Sequence, residues 1–150
     1  MNAQVTGTSK NSSSRPEVDP SKLWAGGVAT AVVAGLVALV GVLVFRWLFD
    51  VPILAPNADG AYGDVHTTEY VLTAALLAII ATGLIHVLLL TTPRPFAFFG
   101  WIIGLATLVA MLFPFSTAAP LSQKFATGAV NLFIGIAIWS LLNGVGNRSI

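Results

Sequence analysis

Long uninterrupted apolar runs, separated by short polar punctuation, dominate the chain. Leu23 to Phe45 carries no charge over 23 positions. At a rise of about 1.5 Å per residue it is long enough to cross a hydrocarbon layer about 30 Å thick. Three further uncharged runs follow, Tyr70 to Leu90, Phe96 to Phe113 and Phe125 to Leu142. The pattern predicts an all-α polytopic membrane protein, a bundle of four transmembrane helices with spans of about 23–45, 70–90, 96–113 and 125–142. Prolines mark the breaks: Pro93 and Pro95 bracket Arg94, and Pro114 and Pro120 delimit the third connection. Trp24, Phe45, Trp47, Tyr70, Phe96, Phe113 and Phe125 crowd the ends of the runs, where amphipathic rings anchor at the membrane interface.

Outside the runs the chain is polar. Residues 1–22, rich in Ser and Asn with Pro16 and Pro20, are expected to form a disordered tail, because they cannot bury enough surface to offset their conformational entropy. The run that follows is too long for the apolar region of a secretory signal. With the amino terminus inside, Lys10, Arg15, Lys22, Arg94 and Arg148 fall on the cytoplasmic side, and only Arg46 and Lys124 outside. That asymmetry predicts both termini cytoplasmic, a short tail over 143–150, and an outer loop over 46–69. The loop is acidic, carrying Asp50, Asp59, Asp64 and Glu69 against Arg46.

Composition adds exclusions. The chain is 56% apolar and 9% charged, against roughly a quarter charged in soluble domains, so the expected partner is a lipid bilayer. Its Lys and Arg are scattered singly, which gives no basis for a nucleic-acid partner. The absence of Cys removes thiolate metal sites and thiol chemistry.

Helices in lipid associate through small residues and interhelical hydrogen bonds. The first span offers Gly27, Ala31 and Gly35 at intervals of four. The second places Ala75, Ala78, Thr82, Gly83 and His86 on one side, the third Gly100, Gly104, Thr107 and Met111, and the fourth Gly128, Asn131 and Gly135. Closing one bundle is the simpler expectation for these stripes. A face for a membrane-protein partner or a homo-oligomer is the sharper one, with Gly100 and Gly104 its best candidate.

Chemistry-bearing residues are few. No Asp or Glu lies in any span, which argues against a carboxylate-coupled proton carrier. His86 lies within the second span, and a hydrogen bond to a neighbouring helix or to Thr82 is expected to weigh more than a ligand role. His66 sits 20 residues away on the outer side, too far for two-histidine haem ligation. Asn131 is expected to join helices rather than hold a ligand, at a depth about 13 Å from His86. Arg46 is expected to pair with Asp50 or Glu69. The segment from Asp64 to Glu69 holds potential cation ligands but matches no metal motif, and Asp64, Thr67 and Glu69 equally suit a helix start. No nucleophile, base and orienter come together, so neither an enzyme nor a cofactor is expected.

The polar tail, the Gly/Ala-rich first helix, the exit Arg46-Trp47-Leu48-Phe49-Asp50-Val51 before a proline-containing loop, and the turn Thr92-Pro93-Arg94 resemble a family of small four-helix membrane proteins of unknown function from actinobacteria. The resemblance runs from Trp24 to Leu142 and implies an architecture and a host, without an activity. Members often carry a His early in the fourth helix, where this chain has Asn131, a departure that bears on any shared chemistry. Two functions are therefore expected. One is a non-catalytic accessory, assembly or structural component of a membrane complex; the other is small-molecule or lipid binding or transport in a polar cavity joining Thr82, His86, Thr107 and Asn131.

Overall fold

A computed structural model describes residues 17–56, 62–64 and 66–150. Four long helices carry the fold: α1 Pro20–Leu43, α2 Thr67–Thr91, α3 Pro95–Leu112 and α4 Leu121–Ser149. All four are long and apolar enough to span a membrane, so the chain is an all-α membrane protein as its pattern predicts.

The helix ends correct the sequence-based boundaries. Asp19 caps α1: its carboxylate accepts the backbone N–H groups of Ser21 and Lys22 at 3.1 and 3.3 Å, and Pro20 opens the first turn. Residues 20–22, assigned to the tail, are therefore helical, whereas residues 1–16 lie outside the described residues. At the other end α4 runs on to Ser149, so 143–150 is not a separate tail. An apolar count stops at Leu142, and Asn143, Gly144, Gly146 and Asn147 are poor helix formers, but no proline intervenes and Gly146 is buried against Phe96 and Ile85, so packing carries the helix on. The Asp19 N–H donates to the Ser149 carbonyl at 2.7 Å, tying the start of α1 to the end of α4.

The 46–69 connection is more structured than an acidic loop. A single π-helical turn, Val44–Leu48, prolongs α1. Asp50 then adopts φ 53°, a left-handed conformation that a short polar side chain tolerates, and the Val51 N–H returns to the Phe45 carbonyl at 2.7 Å. Strands β1 (Leu54–Pro56) and β2 (Tyr62–Asp64) pair antiparallel, Leu54 opposite Asp64 and Pro56 opposite Tyr62. Ile53 and Leu54 are buried over the end of the bundle. Asp59 lies outside the described residues. His66 holds the cap position of α2 without a side-chain bond, and Glu69 in the first turn suits the positive end of the helix dipole.

Packing follows the membrane rule of small residues inside and large ones outside. The core draws on Ala31, Ala34 and Ala38 of α1, Ala74, Ala78 and Ala81 of α2, and Val130, Ile134 and Ile138 of α4. Val28, Val32, Leu36, Leu72, Leu76 and Ile80 face outward. Helix α1 is packed between α2 and α4, and α3 lies chiefly on α4, so the α2–α3 edge closes least tightly.

Candidate functional site

Two polar bridges hold opposite ends of the bundle. At the hairpin end, the Tyr70 hydroxyl donates to Asn131 Oδ1, and Asn131 Nδ2 donates to the Ala110 carbonyl at 2.8 Å. One side chain thereby joins α2, α4 and α3. One turn before Asn131, the Thr127 hydroxyl oxygen accepts the Leu54 N–H at 2.9 Å and fastens the hairpin to α4. At the opposite end, where α1 starts and α4 finishes, Trp24 Nε1–H donates to His86 Nδ1 at 2.9 Å, the two rings meeting edge to face.

His86 is thus bonded to α1 and not to Thr82. The Thr82 hydroxyl donates instead to the Ala78 carbonyl at 2.8 Å, and its side chain is fully buried in the α1–α2 seam. The four residues expected to share one polar cavity are therefore divided. Thr107 and Asn131 line a cavity of about 400 Å³ among α2, α3 and α4, whose lining includes neither Thr82 nor His86.

The small-residue stripes are divided as well. A Cβ on Gly27 would overlap Thr82, Ala31 is buried, and Gly35 faces Val71 and Ala75, so the first stripe forms the α1–α2 seam. A Cβ on Gly128 would lie 2.9 Å from the Met111 carbonyl oxygen, and one on Gly135 would overlap Thr107, so the fourth-helix stripe seats α3. Gly100 comes near only Trp139, and a Cβ on Gly104 would meet nothing within 4 Å. These two glycines line an open groove of about 890 Å³ between α3 and α4, with Trp101, Trp139 and Asn143. Asn143 Oδ1 is buried beside it without a hydrogen-bond partner among the described residues.

Arg46 Nη1 reaches the Thr67 hydroxyl at 3.4 Å, linking the end of α1 to the start of α2, while Asp50 and Glu69 are exposed close by in sequence. No group of three or more His, Asp or Glu among the described residues could hold a metal ion.

Sequence reasoning singled out His86 and Asn131 but missed their partners. Trp24 and Tyr70 stand where interfacial anchors are expected, and only their polar tips hint at more. Thr127 carried no periodic signal beyond its place beside Gly128.

These features define a four-helix integral membrane protein whose helices are joined by small-residue seams and neutral hydrogen bonds. The family model described as a family of unknown function (DUF6069) matches residues 18–148, a stretch that includes nearly all of every span, and the chain belongs to that family. No curated protein and no solved structure matches it.

Proposed function

We propose that the protein is a non-catalytic accessory or assembly component of a membrane complex, and that the outer face of α3 is its contact surface. The supporting observation is the disparity of α3 with its neighbours. Phe99 is the one buried residue of α3, Trp101 is 72% exposed, and Gly104 faces open space. Glycines at four-residue spacing let a second helix approach backbone to backbone. Trp101, Trp139 and Asn143 flank these glycines along the same groove. The lysine and arginine asymmetry supports an orientation with both termini in the cytoplasm. The inner membrane of an actinobacterium is the setting that the family resemblance suggests.

The test is purification of the full chain in mild detergent. The native chain should emerge with a larger membrane partner or as a discrete homo-oligomer, and Gly104→Leu should emerge alone with unchanged helicity. Gly104 is the cleaner position, because a Cβ at Gly100 already lies 3.3 Å from Trp139 Nε1. A native chain that emerges as a lone monomer, or a Gly104→Leu variant that keeps its partners, overturns the reading.

A further inference from the structure

Threonine hydroxyls in a membrane helix usually return their proton to a carbonyl one turn back, because hydrocarbon offers no other acceptor. Thr30, Thr73, Thr82 and Thr91 all do so, bonding the carbonyls of Gly26, Glu69, Ala78 and Val87 at 2.7–2.8 Å. Thr107 departs from this pattern: its hydroxyl has no hydrogen-bond partner among the described residues. Thr107 and Gly135 instead line the 400 Å³ cavity at the loosely closed α2–α3 edge.

The cavity is graded along its length. Tyr70 and Asn131 hold its end near the hairpin, Thr107 lies about one turn deeper, and Leu77, Leu84 and Ile138 wall the rest with hydrocarbon. None of its lining residues is charged or ionises near neutral pH. The volume falls in the range of small-molecule sites. Its rim includes the exposed residues Leu77, Ile80 and Ile102, so an occupant can enter sideways from the bilayer core.

We propose that this cavity binds one uncharged amphiphile, an apolar chain ending in a hydroxyl or carbonyl oxygen that accepts the Thr107 hydroxyl proton. A charged headgroup would be stripped of water with no counter-ion in reach. A plain hydrocarbon would fill the volume but leave the Thr107 donor unmet. Binding here is independent of the outer face of α3 and holds whether or not that face has a partner.

The full chain in detergent, incubated with oleyl alcohol, 1-octadecene or oleylamine, separates these cases by native mass spectrometry of the retained ligand. The native chain should keep a single oleyl alcohol, favoured over 1-octadecene by roughly fivefold to tenfold, as one hydrogen bond provides. Thr107→Val, which keeps the shape and loses the hydroxyl, should erase that preference, and Thr107→Ser should restore it. The comparison of ligands on the native chain stands even if a variant folds poorly. Equal retention of the alcohol and the alkene, retention of neither, stronger retention of oleylamine, or a preference that survives Thr107→Val overturns the proposal.

Discussion

Gly27 of α1 faces Thr82 of α2 so closely that a single methyl group on Gly27 would overlap the Thr82 side chain. Gly104 of α3 has the same freedom from side-chain bulk and nothing within 4 Å to use it. The two positions should respond oppositely to one substitution. Gly27→Ala forces α1 and α2 apart and is expected to destabilise the bundle by about 1–3 kcal/mol, the range for overpacking a filled core. Gly104→Ala should stay within about 0.5 kcal/mol of the native chain, as an exposed substitution does. Reversible unfolding in mixed micelles measures both, and equal losses would show that Gly104 is packed.

Thr127 is 1% exposed and supplies the acceptor for the Leu54 N–H, the bond that pins the hairpin across α4. Thr127→Val keeps the volume but leaves a buried amide without a partner, a loss of about 1–3 kcal/mol. The loss should be local. Protease cleavage within 55–65 should accelerate while the four helices keep their ellipticity, and Thr127→Ser should return cleavage to the native rate.

The four spans were legible because lipid leaves a backbone little choice but to bond within itself, so an uncharged run of sufficient length is a helix. Their ends were not, because caps and breakers decide them. Asp19 starts α1 ahead of the apolar run, and α4 continues past Leu142 through two glycines because no proline stops it and Gly146 and Ser149 are buried against the bundle. Spacing also marked the right glycines without showing which face meets which. Gly27 and Gly100 carry the same local signal, yet one is buried in a helix seam and the other lines an open groove. The same holds for the polar residues. Trp24 and His86 stand 62 positions apart, and helical periodicity fixes the face of each but not the neighbour that the face will meet.

Orientation can be read by chemistry that the native chain lacks. With no Cys in the sequence, a single introduced thiol is an unambiguous reporter. Ala118 is exposed in the turn between α3 and α4, at the hairpin end, and Ile150 is exposed at the end where Asp19 meets Ser149. The charge asymmetry predicts that Ala118→Cys reacts with a membrane-impermeant maleimide on intact cells, whereas Ile150→Cys reacts only after permeabilisation. The reverse pattern would place the termini outside.

The start of α1 should be sensitive to acid. Asp19 accepts from the Ser21 side chain and from two backbone amides and lies 3.3 Å from Lys22 Nζ. These contacts, led by the Ser21 hydrogen bond, hold its carboxyl below the ordinary value of 3.8. A group whose pKa is depressed by folding contributes stability that is fully present above its unfolded value and is lost as pH falls through the folded one. The cap should therefore be intact at neutral pH and released below the ordinary carboxylate range, where protonation removes the charged acceptor. Hydrogen exchange of the Ser21 and Lys22 amides, corrected for intrinsic rates, should accelerate at low pH, with exchange at Ala34 and Ala38 unchanged. Asp19→Ala should show the fast rate at every pH, and Asp19→Asn, which keeps an acceptor without a titrating charge, should lose the pH dependence while retaining most of the protection. Fast exchange of those two amides in the native chain at pH 7 would mean that Asp19 does not cap α1 in the membrane.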